Sequence, residues 1–264
     1  MKKIILLLVF LFSINCIEGQ TTFYKTIGSY NEFANHVEQT TDGGYMLVGS
    51  SSSTIELNGY LIKTNAIGDT LWTKTYGTNA EFTCGHQTND GGYILAGYIK
   101  NTSTLDLDMY IVKTDSTGTV SWQKIIATAY EDEAYDVKQT SDGGYVIVGW
   151  GFRSGGSNSD VMVVKLNNLG NLDWKNFYGS TSDQEYGYSI IQTADGGYMI
   201  CGDSYDMSSG YRGYILKIGS TGTYFWNKVF DGSTHDRSLR ILQTSDYGYL
   251  VLGTRRNVVG SDDM

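Results

Sequence analysis

An all-β fold built from about five copies of one four-stranded antiparallel unit is what this sequence predicts, on three observations. The stretch Gln139-Thr140-Ser141-Asp142-Gly143-Gly144-Tyr145 recurs at residues 39–45, 87–93, 192–198 and 243–249, where Tyr247 replaces the first glycine. Successive glutamines are 48, 52, 53 and 51 residues apart, and a fixed period of about 50 marks an array of one supersecondary unit. The 264 residues include 33 glycines and 21 tyrosines but no proline, so glycine-rich turns punctuate aromatic and β-branched runs. The run after each stretch is apolar at consecutive positions, as in Tyr145-Val146-Ile147-Val148. A strand with one wet face would alternate, so this one is covered on both sides, as in sheets stacked face to face around an axis. The architecture is a β-propeller of four-stranded blades whose last blade is incomplete.

Residues 1–19 read as a signal peptide. Lys2 and Lys3 form its basic start, residues 4–12 are apolar but too short to span a bilayer, and Ile17-Glu18-Gly19 offers a cleavage site. Lipoprotein processing at Cys16 is the rival reading, which the preceding Ser13-Ile14-Asn15 fits poorly. Either way the product is exported, to the cell surface or the extracellular space. No later stretch approaches transmembrane length.

The propeller occupies residues 20–264. Residues 23–28 resemble 72–77, the end of the first repeat, so the mature chain opens on the last strand of a repeat. Repeats start near residues 33, 81, 133, 186 and 237. In the second, strand one runs into Gln87-Thr88. Asn89-Asp90-Gly91-Gly92 makes a tight turn in which glycine supplies positive φ and Asp90 accepts backbone N–H bonds. Strand two starts at Tyr93, strand three at Met109, and a second turn, Asp115-Ser116-Thr117-Gly118, leads to strand four. Gly68, Gly118, Gly170 and Gly222 each stand four residues before Trp72, Trp122, Trp174 and Trp226. A hairpin turn of fixed length fixes register, so these tryptophans point the same way in every blade. The fifth repeat ends at Ser261-Asp262-Asp263-Met264, which matches the start of strand three, Leu107-Asp108-Met109. Two readings are open: a piece of a longer propeller, or a five-bladed ring with a defective closing blade.

The net charge of −9, with no cluster of Lys and Arg, excludes a nucleic-acid partner and disfavours an anionic membrane surface. Cys84 and Cys201 sit at unlike positions in different repeats, so they read as buried free thiols rather than a disulfide or zinc framework.

The pattern Gln-Thr-x-Asp-Gly-Gly-Tyr, an apolar run ending in Gly, then Tyr-Ile-Val-Lys-Thr-Asp-x-x-Gly-x-x-x-Trp-x-Lys resembles the secreted β-propeller repeats of bacterial surface proteins, common in bacteria with type IX secretion. The resemblance covers nearly everything from Phe23 onward. It implies export and a binding or scaffold role, with little chemistry. The C-terminal sorting domain that often follows such propellers has no counterpart here, which fits the fragment reading. Asp-Gly-Gly-Tyr is also similar to the Asp-box hairpin of sialidase-type propellers, a structural turn. Asp115 to Trp122 is similar to quinoprotein repeats, but the spacing is one residue short and Asn65, Asn167 and Gly219 replace Asp115 elsewhere. No cofactor is expected.

Candidate chemistry is weighed against this regularity. Asp42, Asp90, Asp142, Asp195 and Asp246 recur once per blade, as turn-forming residues do, whereas catalysis needs one special pair. Lys63, Lys113, Lys165 and Lys217 recur in strand three, and their stems are expected to cover aromatic surface, such as the following Trp. His36, His86 and His235 lack metal-ligand spacing. Glu131, Asp132, Glu133 and Asp136 are expected in a solvated loop between blades, with Asp183 and Glu185 at the next such link. A pair drawn from these carboxylates is what a glycosidase would need. Tyr205 and Tyr211 lie in one of the variable loops joining strands two and three (residues 50–58, 100–107, 151–159 and 204–212), where a sugar ring could stack. The expected function is an exported, monomeric, non-enzymatic propeller that acts as a binding or scaffold module at the cell surface or outside the cell, its ligand open between glycan and protein. The alternative is an extracellular polysaccharide hydrolase.

Overall fold

The computed structural model describes residues 31–52, 56–153, 158–230, 237–256 and 262–263. The expected leader, Cys16 and the strand at 23–28 lie outside them. Every described element is a β-strand. The first blade is β1 (Glu32–Gln39), β2 (Tyr45–Ser52), β3 (Leu57–Thr64) and β4 (Thr70–Tyr76). The second is β5 (Ala80–Gln87), β6 (Tyr93–Lys100), β7 (Leu107–Thr114) and β8 (Val120–Ile126). The third is β9 (Asp132–Gln139), β10 (Tyr145–Phe152), β11 (Ser159–Leu166) and β12 (Leu172–Tyr178). The fourth is β13 (Gln184–Gln192), β14 (Tyr198–Asp206), β15 (Gly210–Ile218) and β16 (Tyr224–Val229). Each is an antiparallel meander in sequence order. The fifth blade has β17 (Arg237–Gln243), β18 (Tyr249–Arg256) and the two-residue β19 (Asp262–Asp263). This is a β-propeller, and among the described residues its last blade has three strands where the others have four.

The repeated stretch builds the turn between the first two strands of each blade. Gly43, Gly91, Gly143 and Gly196 take φ of 79–81°, a region open to glycine without a Cβ penalty. Tyr247 takes φ of 66° in the same place. A Cβ on the second glycine would strike backbone: at Gly44 it would lie 2.1 Å from the Thr64 carbonyl oxygen. The glutamine ties blades together. Gln87, Gln139 and Gln192 each accept a 2.8 Å hydrogen bond from a turn amide of the preceding blade, Thr41, Asn89 and Ser141.

The core is a series of seams between blades. One cluster joins Met46, Val48 and Leu61 to Phe82, Leu95 and Val112; a second joins Ile94, Met109 and Ile111 to Tyr145, Ile147 and Met162; a third joins Val146, Val161 and Val163 to Tyr198, Ile200 and Leu216. The seam to the fifth blade is thin, with Met199, Cys201 and Ile241 its buried members. Cys84 and Cys201 are free and buried, and burial pushes both thiols up to about 12. The end blades keep open faces. Val37 is 60% exposed where Val137 and Ile190 are sealed, and Leu250 is 59% exposed where Ile94 and Val146 are sealed.

Two expectations are corrected. The acidic segment is not a solvated loop: Asp132, Glu133 and Asp136 belong to β9 and Glu185 to β13, and Asp132 and Glu185 are buried. Consecutive carboxylates read as loop because charge on the innermost strand is unexpected, yet here both blade seams enclose it. The link between strands two and three in the fourth blade is also shorter than expected, because β14 and β15 run to Asp206 and from Gly210.

Candidate functional site

The recurring aspartates are joined to the recurring lysines. Lys63, Lys113, Lys165 and Lys217 are buried, and their Nζ atoms lie 2.8, 2.8, 2.9 and 2.8 Å from carboxylate oxygens of Asp42, Asp90, Asp142 and Asp195. The expected cover over the following Trp gives way to this ion pair, because a buried ammonium needs an acceptor more than its stem needs apolar cover. The preceding threonine donates to the same carboxylate, and so does the amide two residues on, as from Thr40 at 2.6 Å and Gly44 at 3.0 Å to Asp42. Hydrogen bonds from Lys63 and Lys217 pull Asp42 and Asp195 down to about 2. At Asp90 and Asp142 partial burial opposes the shift, and their lysine and threonine donors still hold them at about 2. Asp246 keeps the contacts to Thr244 and Gly248.

The tryptophans serve the seams. Trp72, Trp122 and Trp174 meet Tyr93, Tyr145 and Tyr198 of the next blade at ring-centroid distances of 5.8, 5.5 and 6.1 Å. Their other neighbour is the second-turn glycine of that blade: a Cβ on Gly118 would sit 2.9 Å from Trp72. Trp226 is exposed. Tyr205 and Tyr211 face each other across the β14–β15 hairpin, 4.7 Å apart.

The innermost strands carry the feature that sequence reasoning missed. Each has a β-bulge at the fourth residue before its glutamine, where the pairing register slips. The bulged residues are Asn35, Thr83, Tyr135, Tyr188 and Leu239. A bulge re-aims a side chain, and four of these five, with Arg240, line an axial cavity of about 350 Å³. The residue type differs between blades two, three and five, while the flanking motif is constant. That contrast, variability inside a fixed frame, is the one mark of this position in the sequence.

Tyr135 and Tyr188, in the cavity wall, begin a chain of aromatic rings. Tyr135 meets Tyr188 edge-on at 5.3 Å, Tyr188 stacks on Tyr186 at 6.4 Å, and Tyr186 meets Trp150 at 5.7 Å. Two half-buried carboxylates stand at the same position of neighbouring blades. Glu133 accepts from the Tyr135 hydroxyl at 2.8 Å, and Glu81 accepts from Tyr98 and Asn35 at 2.8 Å each. Burial pushes Glu133 up, against hydrogen bonds from Tyr135 and Trp150. A larger groove of about 680 Å³ lies between blades two and three. Its walls include Asp90, Lys113, Trp122 and Gln139, which recur in other blades and so define no special place.

His36 and His86 converge from blades one and two, 4.9 Å apart; His235 lies outside the described residues. His86 Nδ1 bonds Glu38, and its Nε2 lies 3.5 Å from Asp136. Burial opposes a charge on His86, but those two carboxylates push its pKa up. Burial drives His36 down to about 4. Lys138, 3.3 Å from Asp136, closes a charged clasp across three blades. Among the described residues no group of three His, Cys, Asp or Glu side chains is arranged to hold a metal ion, and no helix is long and apolar enough to cross a membrane.

No protein-family model matches the chain, and no curated protein does. Solved structures do. A protein of unknown function from Dyadobacter fermentans superposes with a TM-score of 0.55 at 12% identity, over 88% of this chain and 78% of that one. An endo-arabinase from Bacteroides thetaiotaomicron gives 0.49 at 10% identity, over 88% and 92%. The β-propeller domain of the Trilobed protease from Pyrococcus furiosus gives 0.46 at 11% identity, over 79% and 60%. At such identities the likeness is one of fold alone.

Proposed function

We propose that the chain is an exported, non-enzymatic propeller that binds a glycan in its axial cavity. One observation carries this reading. The inner-strand bulges place Thr83, Tyr135, Tyr188 and Leu239 around one opening, in a molecule whose other conspicuous residues repeat from blade to blade. Recognition needs such asymmetry, and a spacer does not. Tyrosine faces suit the apolar faces of sugar rings, while Arg240 and the Tyr135–Glu133 pair offer a donor and an acceptor to hydroxyls. The buried carboxylates Asp132, Asp160 and Glu185 line neither of the cavities described above.

A second reading keeps one supporting observation. Glu133 is half-buried, its pKa is raised, and Glu81 stands beside it on the next blade, as a general acid and its partner would. The two readings part in one experiment. Soluble oligosaccharides are titrated into the protein while reducing ends are measured in the same samples. Binding without release, lost in Tyr188→Ala, supports the binding module. Release that Glu133→Gln abolishes supports the hydrolase. Export is tested by fractionating cells that express the full chain with a C-terminal tag.

A further inference from the structure

The seam between the third and fourth blades encloses two carboxylates with unsatisfied oxygens. Asp160, the second residue of β11, is 4% exposed, and Glu185, the second residue of β13, is 3% exposed. Asp160 uses Oδ2 for Arg153, whose Nε lies 3.1 Å away, and Glu185 uses Oε1 to accept from the Ser180 amide at 3.2 Å. Among the described residues Asp160 Oδ1 and Glu185 Oε2 have no hydrogen-bond partner. Both face one small space. A Cβ on Gly179 would lie 2.0 Å from the first oxygen and 2.6 Å from the second, so only glycine leaves that space open.

Two buried carboxylates aimed at one point repel each other, and Asp183 adds a third negative charge nearby. Asp183 is itself spoken for: Arg212 donates to its Oδ2 at 2.8 Å. The Arg153 contact offsets one charge of the pair and leaves the other. Unpaired buried oxygens are costly, more so when charged, so the arrangement calls for a partner that the described residues do not supply.

The geometry points to a divalent-cation site of the hard, oxygen-seeking class, Ca²⁺ first, held between Asp160 Oδ1 and Glu185 Oε2. The two carboxylates come from different blades, so the ion cross-links the seam. Ions of this class accept water and carbonyl oxygens as further ligands. The anionic oxygen donors disfavour soft metals, which ask for sulfur or imidazole. The site is independent of the axial cavity and of what that cavity binds. A shared proton, with one carboxyl donating to the other, is the competing occupant.

The test is thermal unfolding of the full chain at pH 7.5 in EDTA and in millimolar CaCl₂. Wild type is expected to gain about 5 °C with Ca²⁺, as saturation of a native-state site requires. Glu185→Gln and Asp160→Asn are expected to lose that gain. Asp42→Asn, in the first-blade turn, is expected to keep it. Tb³⁺ luminescence sensitised by nearby tyrosine reads the same site without reference to stability, and Ca²⁺ should quench it by competition. Absence of both the shift and the luminescence in folded wild type overturns the proposal and leaves the pair to a proton. A Ca²⁺ gain that survives in both carboxylate variants overturns it equally.

Discussion

Lys165 Nζ lies 2.9 Å from Asp142 Oδ2 inside the third blade, and the same ammonium donates to the Leu166 carbonyl at 3.0 Å. The lysine is buried and the aspartate largely exposed, so the pair pins a charged strand-three side chain to the first turn. Removing Asp142 takes away the nearer counter-charge of the buried Lys165 and leaves it Asp173, whose Oδ2 lies 3.7 Å away. Asp142→Ala is expected to cost about 2 kcal/mol in a urea titration, and Asp142→Ala with Lys165→Met to cost less than the single change. Equal losses in both variants would show that the pair is not coupled.

The four turn aspartates predict acid sensitivity. Their carboxyls sit at about 2 in the fold, against about 3.9 unfolded. A depressed carboxyl adds stability that is present above the unfolded value and lost as pH falls through the folded one. Unfolding midpoints should therefore drop between pH 4 and pH 2. Solvent screening at these exposed groups keeps each contribution small, so the combined Asp42→Asn and Asp195→Asn variant is the useful comparison. Its midpoint should fall less steeply over that interval.

Glu185 and Asp132 act in the opposite sense. Burial raises Glu185 to about 7 and Asp132 to about 6. A carboxyl raised in the fold contributes stability below its unfolded value near 4 that is lost as pH rises through its folded value. In EDTA the melting temperature should decline from pH 5 to pH 7.5. Glu185→Gln should flatten that decline, and an unchanged slope would contradict the burial assigned to this residue.

Two glycines with the same φ predict different costs. Gly118 and Gly143 have φ of 77° and 79°. A Cβ on Gly143 meets nothing within 4 Å, whereas one on Gly118 lies 2.9 Å from Trp72. Gly143→Ala should cost about 1 kcal/mol from backbone strain alone. Gly118→Ala should cost about 1–3 kcal/mol more, because the blade seam must open around Trp72. Chemical denaturation of the two variants side by side checks the difference.

Much of this fold was legible because its rules repeat. Gln139, Asp142, Gly143 and Trp122 recur at a fixed spacing, and recurrence exposes a structural role without any coordinates. The Lys165–Asp142 pair was hidden despite its own recurrence: strand-three lysines face inward, and sequence spacing does not say which partner lies under them. The axial residues were hidden for a different reason. Tyr135 and Tyr188 owe their direction to a bulge, a one-residue slip that alternation rules read as a continuous strand. Asp132 and Glu185 misled because charge on consecutive residues resembles a solvated link, while here the next blade closes over it.

The most direct test of the binding account is calorimetric titration of purified protein with a panel of neutral oligosaccharides, with reducing ends assayed in the same cell contents. The account predicts saturable heat for at least one oligosaccharide, abolished by Tyr135→Ala and Tyr188→Ala and unaffected by Asp42→Asn, with no new reducing ends. Turnover of any oligosaccharide that Glu133→Gln abolishes, or binding that survives loss of both tyrosines, would contradict it.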